Sequence, residues 1–318
     1  MQSVPTGEAE FSALAERHRR ELHVHCYRML GSFHEAEDLV QETLLRAWRG
    51  RDSLQRGDWF RAWLYRIATN ACLDAIKRRD RQVPSLGSFR DVPWLEPYPD
   101  RLLAELAPAD EEPEPALLAR ETIELTFLAV MQLLPPRQRA VLILRDVLDW
   151  PAEQVAATLE LSVAAVNSAL QRARATLREH LPAERREDWS APEVGEAERA
   201  ALDGFIAAHE AGDADAALAL IADDIRVTMP PLPYLYEGRE AIAGLLATAF
   251  GPELPGEWRL VPTRANLMPA AASYLRAPDE SEFRAFKLDV LRVRGTVIAE
   301  ITTFNADLFA QFGLPAVL

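Results

Sequence analysis

The sequence predicts a multidomain chain in which two all-α domains are followed by one α+β domain. Three observations carry that expectation. Helical periodicity runs from Phe11 to Arg81 and returns between Ala116 and about Leu181. The residues between, 82–115, are rich in proline and carry Asp91, Glu96, Asp100, Glu105, Asp110, Glu111, Glu112 and Glu114 against Arg90 and Arg101, the composition of a linker without a core of its own. From Glu196 onward two helical stretches give way to VTMP, RLVPTRANLM, AASYLRA, EFRAFKLDVLRVRG and TVIAEITTFN, which read as strands. The expected divisions are therefore 8–81, a linker 82–115, 116–181, a second linker 182–195, and 196–318.

A formal net charge of −14 over 318 residues excludes a protein that coats nucleic acid by charge alone, because neutralising phosphates needs local Lys and Arg. Any DNA contact must come from local patches. Cys26 and Cys72 are the only cysteines, too few for a disulfide framework or a four-thiolate zinc site, and both are expected as small buried side chains. No apolar run approaches a membrane span, and the N-terminus MQSVPTGEAE is polar and acidic. A cytoplasmic protein with no membrane partner is expected.

In the first domain Ser32 and Glu35 form a capping box and Gly50 supplies a stop, so His34 to Arg49 is expected to be one helix. Ala36, Val40, Leu44 and Ala47 would line its buried side, and Asp38, Gln41 and Glu42 fall at i, i+3 and i+4 as an acidic face. Asp58 can cap the next helix. Along that helix Trp59, Trp63, Arg66, Asn70, Asp74, Lys77 and Arg81 share a stripe, and Lys77, Arg78, Arg79 and Arg81 make its end basic. Separating DNA strands without nucleotide hydrolysis needs groups that stack on bases and groups that hold phosphates. This stripe has both, although Trp63 and Tyr65 would serve equally as core aromatics. Of the clustered histidines, His23 alone has helix-compatible ligand spacing to Cys26. Two donors do not make a metal site, and none is expected.

In the second domain LPPRQRAVLILRDVLDWPAEQVAATLELSVAAVNSALQRARATLRE holds two helices joined by a short turn at Glu160 to Ser162, the spacing of a helix-turn-helix. Val163, Val166, Leu170, Ala173 and Leu177 recur at helical spacing and face the core. Ser162 caps the second helix, and Ala164, Asn167, Ser168, Gln171, Arg172 and Arg174 are left outward. Asn and Gln can pair with adenine edges, while Arg can fork onto guanine or hold phosphate. Glu160 stands where a turn of this kind favours glycine, and because a left-handed conformation costs a non-glycine residue something, a slightly different turn geometry is expected there.

The string AEDLVQETLLRAW resembles the segment with which sigma factors dock on the clamp helices of RNA polymerase, and the helix-turn-helix resembles sigma region 4. A docking helix, an aromatic-basic helix, an acidic linker and a helix-turn-helix follow one another in sigma-factor order. The first 180 residues thus resemble a sigma factor of the extracytoplasmic-function type. Its fold would be two all-α sigma domains, a region 2 bundle and the region 4 helix-turn-helix. The resemblance implies that Asp38, Gln41 and Glu42 meet core RNA polymerase. It implies that Trp59, Trp63, Arg66, Asn70, Lys77, Arg78, Arg79 and Arg81 serve the −10 element of promoter DNA, and that the residues from Ser162 to Arg174 named above serve the −35 element. It also places a base-flipping loop at Arg51 to Gly57.

FIAAHEAGDADAALALIADDIRVTMPPLPYLYEGREAIAGLL, with the strand segments behind it, resembles the SnoaL-like branch of the nuclear-transport-factor-2 fold, an α+β cone. Such cones enclose a small-molecule pocket. The candidates to line it here are His209, Met229, Tyr234, Tyr236, Asp289 and Asn305. Asp289 with His209 is the one suggestive acid–base pair, but His209 lies just before Gly212 and Asp213, which fits a structural histidine at a helix end. The expectation is a regulatory domain that has room for a small-molecule ligand, needs no cofactor and is not an enzyme. The competing readings are a SnoaL-type enzyme with a DNA-binding appendage and a ligand-gated repressor.

Overall fold

The computed structural model describes residues 8–54, 60–79, 95–103, 123–180, 195–252 and 254–318. Asp58, Trp59, Arg81 and the end of the expected base-flipping loop lie outside the described residues. The chain forms two compact units: Met1–Phe89 with Leu102–Ser190, and Arg90–Arg101 with Ala191–Leu318. Among the described residues no helix is long and apolar enough to cross a membrane.

The first unit begins with α1 (Glu8–Leu30), α2 (Phe33–Gly50) and α3 (Phe60–Arg79). Ser32 Oγ accepts from Glu35 N at 3.2 Å, so the expected cap forms. Gly50, expected as the stop, does not turn left-handed. Its φ of −94° lets α2 run on into a 3₁₀ turn at Arg51–Ser53. The buried stripe of α2 is Ala36, Leu39, Val40, Thr43 and Ala47, with Leu44 half-buried. A network on Glu21 ties α1 to α3, where Arg61 Nε donates at 2.7 Å and Tyr65 OH at 3.1 Å.

The same unit continues with α5 (Leu125–Gln132), α6 (Pro136–Leu142), a π-helical turn at Ile143–Val147, α7 (Ala152–Leu159) and α8 (Val163–His180). Pro136 sits in the first turn of α6, where a missing N–H costs nothing. The sequence divided these helices from the first three, yet both sets share one core. The reason is visible at the C-terminus of α1, whose last carbonyls lack partners within the helix. Gln132 Nε2 donates to Arg28 O at 3.4 Å. The buried guanidinium of Arg139 donates to Met29 O, and also to Gln132 O at 2.8 Å and Leu134 O at 3.2 Å. Tyr65 of α3 packs edge-on against Trp150, ring centroids 5.4 Å apart.

The second unit is a six-stranded sheet in the order β2-β1-β6-β5-β4-β3. Its strands are β1 (Ile221–Met229), β2 (Leu232–Glu237), β3 (Glu257–Ala265), β4 (Met268–Arg276), β5 (Arg284–Arg294) and β6 (Val297–Asn305). Neighbours are antiparallel except β1 and β6, which run parallel. Helices α9 (Glu196–Ala211), α10 (Ala214–Ala219) and α11 (Arg239–Ala249) share a core with the sheet, built on Leu202, Phe205, Ile225, Leu246, Trp258 and Leu291. Gly212 ends α9 in the left-handed region, φ 62°, and Asp213 caps α10 through Ala216 N at 2.9 Å.

One expectation is corrected here. Residues 95–101, expected within a coreless linker, are packed into this second unit. The two-residue turn between β3 and β4, Asn266 and Leu267, has both residues at positive φ, which turns backbone groups outward to be bonded. Tyr98 N donates to Asn266 Oδ1 at 2.7 Å, and Asn266 N donates to Tyr98 O at 2.9 Å. Leu267 N donates to Asp100 Oδ1 at 2.9 Å and Arg264 Nε to Asp100 Oδ2 at 3.0 Å. Tyr98 and Asn266 are fully buried. Acidic composition described the segment's surface and missed its apolar anchors Leu95 and Tyr98. The segment ends in a short helical turn, α4 (Asp100–Leu103).

Candidate functional site

On α2 the side chains of Asp38 and Gln41 are exposed and Glu42 is partly so. Arg46 Nε donates to Glu42 Oε1 at 2.7 Å, and that bond holds the Glu42 carboxyl below the ordinary range. Leu45 lies one turn beyond Gln41 on the same face and is 51% exposed. Sequence reading missed it, because a leucine in an apolar-rich helix is assigned to the core. The face therefore joins carboxylates to an uncovered apolar side chain.

Arg66, Asn70, Lys77 and Arg78 are exposed along one side of α3, so the polar part of the expected stripe is assembled. Two members depart from it. Trp63 is buried beside Phe60, ring centroids 5.9 Å apart, and presents no ring to solvent. Arg79 is turned back to the bundle, donating to Glu35 Oε2 at 3.2 Å and Leu30 O at 3.5 Å. Tyr65 is also buried, against His25 and Trp150. The aromatics thus fix the helix while its cations face outward. His25 Nε2 meets Thr69 Oγ1 at 2.9 Å, and burial, with Arg28 nearby, lowers its pKa to about 3. Among the described residues no three His, Cys, Asp or Glu side chains converge as metal ligands would.

In the helix-turn-helix, Glu160 adopts φ 55° and ψ 48°, so the left-handed conformation is kept although no glycine supplies it. Ser162 Oγ accepts from Ala165 N at 3.1 Å and so caps α8. Ser162, Ala164, Asn167, Ser168, Gln171, Arg172 and Arg174 are all exposed. Arg172 Nη1 donates to Ser168 Oγ at 2.7 Å, which splays it along the helix surface. Arg174 is committed elsewhere, in a bidentate pair with Asp146 at 2.8 and 2.7 Å. Val163, expected in the core, is exposed, and Ala169 takes its place.

Inside the second unit Asp289 is fully buried. It accepts from Thr303 Oγ1 at 2.7 Å and Ser273 Oγ at 3.4 Å, and pairs with Lys287 Nζ at 2.9 Å. His209 is buried against Phe205 and Phe250, and its Nδ1 donates to Phe205 O at 2.9 Å. Burial first, then the Lys287 charge, lowers its pKa to about 4. The other candidates do not join this cluster. Tyr234, on the edge strand β2, and Asn305 are exposed, while Met229 and Tyr236 are half-buried at the margin of the core. Lys287, Ser273 and Thr303 are the members that sequence reading missed. Their strand registers, with Asp289 opposite both Ala271 and Thr303, bring them together, and no local pattern announces such pairings.

A model of Sigma-70 region 2 matches residues 14–82, one of Sigma-70 region 4 matches 124–177, and one of the SnoaL-like domain matches 202–301. The ECF RNA polymerase sigma factor SigG of Mycobacterium tuberculosis is 42% identical over 96% of this chain and 84% of its own length. This chain belongs to the ECF RNA polymerase sigma factors. SigE of Mycolicibacterium smegmatis, also an ECF sigma factor, is 33% identical over 56% of this sigma factor and 68% of its own chain. The crystal structure of the M. tuberculosis extracytoplasmic function sigma factor SigJ aligns with 96% of the chain and 99% of its own at a TM-score of 0.62 and 24% identity, a likeness of fold. The region 4 model begins at 124 rather than at the expected 116, close to the first described helix there.

Proposed function

We propose that this sigma factor docks on core RNA polymerase through Asp38, Gln41, Glu42 and Leu45. Arg66, Asn70, Lys77 and Arg78 then serve the −10 element, and the outer face of α8 serves the −35 element. The fused SnoaL-like domain governs this activity by gripping the chain between the two readers. The observation that carries the regulatory part is the clasp on residues 98–100. A connector between two promoter-binding parts must be free to set their spacing, whereas here it is bonded through the backbone of Tyr98 and the carboxylate of Asp100. Grip and release are two states that polymerase or a ligand can bias.

Sigma factors are not enzymes as a class, and the fused domain of this one is read as a regulator too. Asp289 is spoken for by Lys287, Thr303 and Ser273, and the His209 Nδ1 proton by a backbone carbonyl. Asp289 thus serves the sheet's own side chains, and the His209 ring, packed against Phe205 and Phe250 near a helix end, has the setting of a structural histidine.

Run-off transcription with core polymerase tests the proposal on three chains. One ends near residue 181. The second is full-length Asp100→Ala. The third is Asn266→Gly, which keeps the positive-φ turn and deletes the Tyr98 acceptor. Both clasp variants are expected to shift transcription strongly and in the direction that truncation shifts it. Equal rates from all the chains would end the regulatory reading.

A further inference from the structure

A cleft of about 520 Å³ opens beside the clasp, within the second unit. Its size lies in the range of small-molecule sites. The clasp residues Pro99, Asp100 and Arg101 form one wall, and α9 and β3 form the other. Leu202, Pro262, Pro269 and Phe312 line it with apolar surface, while Arg101, Arg199 and Arg264 stand at its rim.

The three cations are not equivalent. Arg264 is neutralised by Asp100 at 3.0 Å. Arg101 donates from Nε and Nη2 to Gln311 O, a neutral carbonyl that leaves its charge uncompensated. Arg199 is exposed in the first turn of α9, and among the described residues neither it nor Arg101 is paired with a carboxylate. Two uncompensated guanidinium groups beside an apolar floor select an anion and an apolar body in the same molecule. The guanidinium fork matches a carboxylate, and the prolines, Leu202 and Phe312 offer burial to a hydrocarbon.

We propose that this cleft is a binding site for a small amphipathic carboxylate. Such a ligand touches the clasp segment on one side and the body of the fused domain on the other. Its occupancy therefore adds to the grip on residues 99–101. The binding stands independently of the regulatory reading; only an effect on transcription depends on that reading.

The test titrates decanoate into the full-length protein by calorimetry, with acetate and decan-1-ol as the anion and the apolar body alone. Arg199→Glu is the diagnostic variant, since an acidic residue in a first helical turn leaves the fold intact. Saturable decanoate binding is expected, at one site. It should weaken by about tenfold or more in Arg199→Glu, and each half-ligand should bind weaker than decanoate by a similar factor. No saturable decanoate binding, unchanged affinity in Arg199→Glu, or decan-1-ol binding as well as decanoate would each overturn the proposal. Failure here leaves the transcription test of the clasp variants standing, so the two readings fail separately.

Discussion

Arg172 and Arg174 lie two positions apart on α8 and were equivalent in the sequence, yet Arg174 is bound to Asp146 by two hydrogen bonds and Arg172 is not. Periodicity says which side of a helix a residue occupies, and nothing in it says which exposed cation a neighbouring element will claim. Trp63 and Tyr65 make the converse point: a large aromatic on a basic stripe gains more from burial than from exposure, and both are in the core. The histidines give a prediction at this scale. His25, His23 and His209 are buried with pKa values of about 3, about 4 and about 4, in each case through desolvation first. The unfolded chain binds their protons near pH 6.5, and the folded chain refuses them. Stability is therefore complete above about pH 6.5 and erodes as pH falls toward the folded values. By pH 5 the loss for a fully buried histidine is about 2 kcal/mol. Melting curves between pH 7.5 and 5 should show falling midpoints, with a shallower slope in His25→Gln. A flat profile would mean that these rings are not held neutral.

At the scale of elements, the helix-turn-helix was legible because cap, turn and period agree. Ser162 and the Val166, Leu170, Ala173, Leu177 series do what their spacing requires, while Val163 is exposed and Glu160 takes the left-handed conformation without being glycine. The β3–β4 hairpin was not legible. A two-residue turn announces itself when glycine supplies the positive φ, and here Asn266 and Leu267 take it, so RLVPTRANLM read as one strand. The π turn at Ile143–Val147 had no signal either. Gln171→Ala and Arg172→Ala are expected to weaken −35 binding by about 1–3 kcal/mol each if they reach base edges. Arg174→Ala should leave that affinity nearly unchanged and lower stability by about 1 kcal/mol or less, the worth of an exposed pair. Footprints over the −35 region and denaturant titrations separate the two effects. If Arg174→Ala weakens the footprint as much as Arg172→Ala, the pair opens on DNA and the reading face is wider than this geometry.

For the whole molecule, the order of parts was readable and their grouping was not. Three divisions were expected from composition. The chain instead forms two units, because α1 leaves carbonyls that Gln132 and Arg139 satisfy, and because Leu95 and Tyr98 are apolar anchors inside an acidic stretch. Neither arrangement follows from average composition; both depend on single side chains meeting partners far along the chain. As an ECF sigma factor the chain is a promoter-specific partner of core RNA polymerase. The most direct test of that partnership maps transcript 5′ ends produced by purified core polymerase on genomic DNA, with the full-length chain, the chain ending near residue 181, and Asp38→Arg and Glu42→Arg variants of whichever is active. Both charge reversals lie on an exposed helix face and should leave helical content unchanged. Discrete start sites are expected that appear only with the added chain and vanish with either reversal. Chain-independent start sites, or start sites that persist unchanged in Asp38→Arg and Glu42→Arg, would contradict this expectation.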